Sequence, residues 1–166
     1  VGLLLGWRAA REAAAAGGAD ASASLACSLV SSPGLRVIAE HYGLSAHETL
    51  TGFKWISRAP GMIFGFEEAL GYLVNPETVR DKDGVSAAIA ILGLATAARA
   101  EGRTLADELT EMGTLFGHFA SGQISVRVDD LGVITRTMDA LRADVPAEPA
   151  EAPVLQDLAA DQADHE

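Results

Sequence analysis

Two adjacent carboxylates, Glu67 and Glu68, stand in an apolar stretch between Gly65 and Gly71. A half-buried carboxylate needs a partner, and the hydroxyl groups of a sugar can be that partner. Neighbouring residues of a strand point to opposite faces, so only one of the two is expected to face a given pocket. One solvated Glu and one structural ion pair would explain the same residues. A second cluster runs Thr49-Leu50-Thr51-Gly52-Phe53-Lys54-Trp55. Its Thr–Gly step lets a hydroxyl and backbone N–H groups approach a ligand, although a strand end with a tight turn accounts for it too. A third, Val79-Arg80-Asp81-Lys82-Asp83-Gly84, sets two bases beside the N-terminus of a long helix. That is a setting for a phosphate, or a charged cap whose members pair with each other. The fourth is the Ser28-Leu29-Val30-Ser31-Ser32 junction, where Ser32 is already explained as a helix N-cap.

Other chemistries find no support. His41, His47, His118 and His165 lack metal-ligand spacing with each other or with Cys27. Gly-x-Ser-x-Gly, Walker A and Gly-x-Gly-x-x-Gly patterns are absent. Cys27 lies in an apolar run and is expected to be a core thiol.

The elements that must position these clusters alternate between helix and strand. Residues 3–16 read as a helix ended by Gly17-Gly18, and residues 25–30 as a short strand. Ser32-Pro33 opens a helix that Gly43 stops. Residues 48–53 and 62–66 read as two more strands. Asp83 caps a helix that runs to Glu101 and stops at Gly102, with Ile89, Leu92 and Ala95 expected against the sheet. Thr104 and Asp107 form a capping-box pattern that opens the next helix. Residues 123–128 alternate like a strand, and residues 130–141 have the spacing of an amphipathic helix. Such alternation predicts an α/β fold, a three-layer α/β/α domain with a mixed sheet.

Composition bounds the function. The chain has 166 residues, 49% of them hydrophobic, and a net charge of −11. A core is within reach, and nucleic acid is excluded as the main partner because phosphate binding needs clustered Lys and Arg. The longest apolar run, residues 87–98, is too short for a bilayer span, so no membrane partner is expected. A single cysteine fits a cytoplasmic location. Residues 143–166 hold seven acids, three prolines and no Lys or Arg, and are expected to be a disordered acidic tail. The first residue is Val1, which suggests a piece of something longer.

Four stretches occur in order: LVSSPGLRVIAEHYGL (29–44), ETLTGFKWI (48–56), GFEEALGYLV (65–74) and VRDKDGVSAA (79–88). Together they resemble the third domain of the phosphoglucomutase/phosphomannomutase family, in the subgroup whose sugar loop reads Phe-Glu-Glu-Ala. The resemblance covers residues 1–128. Residues 129–142 resemble a helix leading into an incomplete fourth domain. Family members move a phosphoryl group between the 1 and 6 positions of a hexose. The resemblance implies that Glu67 accepts hydrogen bonds from the sugar's 3- and 4-hydroxyls. It implies that Thr51 and Gly52 line the sugar site, that Lys82 lies near the transferring phosphoryl group, and that Arg80 is a neighbour. Many members carry Ser two residues after the sugar-binding Glu, where this chain has Ala69. The phosphoserine nucleophile, the Mg²⁺ loop and the phosphate loop of the family are absent, so no catalytic residue and no metal ligand is expected in this chain. Mg²⁺ belongs to the full-length family. The expected partners are a phosphorylated hexose, glucose or mannose phosphate, and the missing domains of a parent chain. The expectation is thus a sugar-recognition fragment, inactive alone, of a hexose phosphate isomerase. The alternative is a free-standing, non-catalytic interaction module.

Overall fold

Strand β1 (Ser24–Ser28) is buried at all five positions, which only an inner strand covered on both faces can be. The computed structural model describes residues 1–16, 22–122 and 125–144. In it β1 lies between β2 (Ser45–Thr49) and β3 (Met62–Glu67), parallel to both. The edge strand β4 (Gly71–Leu73) runs antiparallel to β3, giving the order β2-β1-β3-β4. The chain divides into two compact units, Val1–Ser121 and Gly122–Glu166.

Alternation along the strands separates two cores. Leu25 and Cys27 of β1, with Phe64 and Phe66 of β3, face the larger one. It is covered by α1 (Gly2–Ala15), α2 (Gly34–His41), α4 (Gly84–Ala100) and α5 (Leu105–Phe116). Ala26 and Leu73 face the smaller one, against Phe53 and Ile56 of the short helix α3 (Phe53–Ile56). The result is the expected three-layer α/β/α arrangement around a mixed sheet, with a third layer only one helical turn thick.

The caps sit where the side chains place them. Asp83 accepts from the Val85 N–H at 3.0 Å and opens α4, and Thr104 and Asp107 close a reciprocal capping box on α5. Gly43 and Gly102 follow their helices with positive φ. Other expectations change. Strand β2 stops at Thr49, because Gly52 turns the chain at φ 112° into α3. Helix α4 buries Ala87, Ala90, Leu94 and Ala98 instead of Ile89 and Leu92, which are each 65% exposed. This helix is apolar all round, so its pattern names no inner face, and the small residues let it lie closest. Residues 125–128 form no strand, and no described strand pairs with them. In the second unit, α6 (Gly132–Ala143) forms as expected. The rest of the expected tail, beyond Asp144, lies outside the described residues.

A buried ion cluster ties the first helix to the fifth. Glu108 is 3% exposed and receives Arg11 at 3.1 Å and Arg103 at 3.0 Å, one on each carboxylate oxygen. The Arg11 guanidinium also lies 4.1 Å from the ring centre of buried Trp7, and Arg103 continues to Glu111. Removing a buried member leaves its partners uncompensated. We expect Glu108→Ala to cost about 2–3 kcal/mol, less than a fully buried pair because both arginines are partly solvated. Glu111→Ala, at the solvated end, should cost under about 1 kcal/mol. Urea unfolding of the two variants checks the order.

Candidate functional site

The parallel strands β1, β2 and β3 end together at Ser28, Thr49 and Glu67. Loops beyond the carboxyl ends of parallel strands are where open α/β sheets bind ligands. All four sequence clusters reach this edge, and Glu67 is its centre.

Glu67 is the last residue of β3 and 4% exposed. A carboxylate so buried requires charge-assisted partners. The Gly52 N–H donates to Oε2 at 3.1 Å, and the Lys82 ammonium donates to Oε1 at 2.9 Å. The Lys82 nitrogen lies 5.6 Å from the Phe53 ring centre, so an aromatic face shares its charge. Its side chain remains 48% exposed. The lysine end of the pair is therefore half solvated, with protons of the ammonium left over, while the carboxylate end is buried.

Each neighbour is shaped to this pair. Gly52 has φ 112° and ψ 141°, a backbone that only glycine adopts without strain, and it aims the N–H at Glu67. A Cβ on Gly71 would stand 2.6 Å from the Phe53 ring, 2.8 Å from Glu67 Cγ and 3.0 Å from Lys82 Cδ. Residue 71 must be glycine for β4 to pass the site.

Strand pairing of Glu67 with Gly71 leaves residues 68–70 as a three-residue turn. Glu68 is exposed there because the strand has ended, not because of pleat alternation. Ala69 is exposed as well, and Leu70, at φ 57°, is 81% exposed. A left-handed leucine costs about 1–2 kcal/mol, which the surrounding bonds must hold. Tyr72 on β4 has its phenol pKa raised, first by burial and then by the Glu68 carboxylate.

The other candidates separate. Thr51 is exposed in the bend next to Gly52. Arg80 lines a different hollow of about 490 Å³ with Gly61, Met62, Ile63, Pro76, Glu77 and Thr78. That hollow starts beside Met62, about 16 Å along β3 from Glu67 at the usual strand rise. Asp83 lies beside Lys82 as the cap of α4. Its carboxyl is held below the usual range, chiefly by a hydrogen bond with the Ser86 side chain. Phe53, Leu70 and Gly71 fall inside the sequence clusters, but nothing in the sequence assigned them a part in this site. Residues 68–70 lack the Gly or Asn that marks a hairpin turn, and Phe53 reads as the end of a strand. Among the described residues no three His, Cys, Asp or Glu side chains converge. They do not fit a Mg²⁺ site.

The family model for phosphoglucomutase/phosphomannomutase alpha/beta/alpha domain III matches residues 4–116. The chain belongs to that family. It is 52% identical to a "Probable phosphomannomutase" of Haemophilus influenzae over 156 residues, 94% of this chain and 31% of that protein. It is 36% identical to a "Phosphopentomutase" of Pongo abelii over 124 residues, 70% of this chain and 20% of that protein. It is 35% identical to a "Phosphoglucomutase" of Staphylococcus epidermidis over 99 residues, 55% of this chain and 18% of that protein. The chain thus spans less than a third of these curated relatives. This domain III is similar along most of its length to phosphomutases, a class of isomerases.

Two measurements probe the site's surroundings. Gly71→Ala should destabilise the chain by about 1–3 kcal/mol, as overpacking does, with the Gly52 amide resonance displaced as Glu67 moves. Cys27, on the buried centre of β1, has its thiol pushed from 9.0 up to about 12, first by burial and then by the Glu48 carboxylate. At about pH 8 the native thiol should react with a disulfide reagent roughly a thousandfold more slowly than in urea, because only the thiolate attacks.

Proposed function

We propose that this domain III recognises the sugar of a phosphorylated hexose, glucose or mannose phosphate. It would do so within an enzyme that interconverts hexose 1- and 6-phosphates. The observation that carries the reading is the Glu67 carboxylate, buried at the carboxyl edge of the sheet and fixed by the Gly52 N–H and Lys82. A carboxylate held this way accepts from two adjacent sugar hydroxyls without reorganising, and preorganised acceptors bind most tightly. Gly52 and the exposed Thr51 border the same space. The half-exposed Lys82 suits the phosphoryl group, and the ammonium balances its charge. The identity with a phosphomannomutase over 94% of the chain favours a hexose over a pentose.

Phosphoryl transfer rests on positioning and on electrostatic stabilisation of the moving group. In this reading the domain contributes the first and, through Lys82, part of the second. The nucleophile and Mg²⁺ come from elsewhere in the enzyme, so the chain alone does not turn over. Arg80 borders the hollow beside Met62 and is given no sugar contact in this reading. The cytoplasm is the proposed compartment, in keeping with a single free, buried cysteine. No described helix is by itself long and apolar enough to cross a membrane.

The test is a comparison of two variants in the whole mutase. Glu67→Gln keeps the shape but removes a charge-assisted acceptor worth about 1.5–3 kcal/mol. It should lower kcat/KM for glucose 1-phosphate or mannose 1-phosphate about ten- to a hundredfold. Glu68→Gln, on the exposed turn, should lower it less than threefold, on the scale of solvated charges. A larger loss from Glu68→Gln overturns the assignment, and a preference for ribose 1-phosphate overturns the hexose.

A further inference from the structure

Among the sequence clusters, the Ser28–Ser32 junction is left without a role by the reading above. Ser32 alone is accounted for: the helix begins after Pro33 rather than on a Ser32 cap, and the Ser32 Oγ accepts from the Gly34 N–H at 3.3 Å beside the start of α2. Ser28 and Ser31 serve no helix. Ser28 is fully buried at the end of β1, and Ser31 is 9% exposed. Their hydroxyls are 2.8 Å apart, and the Ser31 N–H closes the turn onto the Ser28 carbonyl at 2.8 Å. The Ser31 hydroxyl then reaches outside its own segment. It accepts from the Glu68 N–H at 3.3 Å, across 37 residues of chain.

We infer that Ser31 is a positioning residue, anchoring the chain just after Glu67 to the rigid end of β1; the inference rests on the reading of Glu67 as the sugar's acceptor. A hydroxyl has one proton and two acceptor sites, so Ser31 can hold the Glu68 amide while paired with Ser28. Glu68 follows the last ladder pair, Glu67 with Gly71, and its amide therefore has no strand partner. Two residues later Leu70 sits in the left-handed region, a conformation that persists only where the surroundings over-determine it. The Ser31 anchor and the Gly71 pairing hold the turn from its two ends. With the anchor released, the turn relaxes and Glu67, one peptide away, loses its fixed direction. The effect would appear in recognition more than in global stability, because the turn itself is exposed and buries little.

The experiment uses the full chain and glucose 1-phosphate as the probe. Amide exchange at residues 68–70 and the Kd, from the shift of the Gly52 amide, are measured for the natural chain and for Ser31→Ala. Ser24→Ala is the control: this fully buried serine bonds the Pro60 carbonyl at 2.6 Å at the opposite end of β1. Ser31→Ala should raise Glu68 and Leu70 exchange at least fivefold and weaken binding three- to tenfold. Ser24→Ala should leave both readouts unchanged even if it lowers Tm as much or more. Should Ser31→Ala not fold, Ser28→Ala, which removes the hydroxyl behind Ser31, is expected to move both readouts the same way. Unchanged Glu68 exchange, or raised exchange with unchanged Kd, overturns the inference while the Glu67 reading stands. A natural chain that does not bind glucose 1-phosphate counts against the Glu67 reading, and Glu68 exchange still decides the anchor.

Discussion

A carboxylate that is 96% buried cannot stay charged unless something charged or strongly polar meets it, and the edge of this domain is arranged around that demand. Glu67 ends β3 with its carboxylate against the Gly52 N–H and the Lys82 ammonium. Three features follow from those two bonds. The loop after β2 must turn back with a glycine backbone to aim the N–H inward. Strand β4 must begin with a residue lacking Cβ, since Phe53, Glu67 and Lys82 already fill that space. The segment before α4 must return to the site, which it does through the Asp83 N–H bonded to the Tyr72 carbonyl at 2.9 Å. Asp83 also caps α4, so one residue both ends the returning loop and starts the helix.

The same physics recurs away from the site with a different outcome. Glu108 is as buried as Glu67, but its two oxygens are each taken by an arginine, and those arginines are engaged again by Trp7 and Glu111. Such a cluster, with a cation on each oxygen, holds α1 to α5. Glu67 has one backbone donor and one half-exposed lysine, so capacity for further hydrogen bonds remains on the ammonium. The two carboxylates differ in their partners: two guanidinium groups hold Glu108, whereas one ammonium and one backbone N–H hold Glu67.

Those differences explain what could be read from the sequence. Caps and stops were legible, because Asp83, Thr104 with Asp107, Gly43 and Gly102 act through their immediate neighbours. The strand at 62–66 was legible from its apolar run. Helix α3 and strand β4 were not. Each is under five residues, and each exists because the site's packing requires it rather than through local propensity. The inner face of α4 was hidden for another reason: with apolar residues on every side, only the closeness that Ala87, Ala90 and Ala98 allow decides it. The choice of Glu67 over Glu68 came from the resemblance. The structure adds why they differ, which is the end of the strand between them.

In the proposed reading, Lys82 is where recognition and charge handling meet. Its ammonium neutralises Glu67 when nothing is bound, and Phe53 spreads part of the same charge. In that reading a phosphoryl group adds a second anion. A lysine suits this double duty better than an arginine. Its three protons radiate from one point on a flexible stem and can divide between two anions, whereas a planar guanidinium would commit its fork to one. The half exposure of Lys82 then has a physical meaning. Full burial would close off the second anion, and full exposure would leave Glu67 without the partner its burial demands.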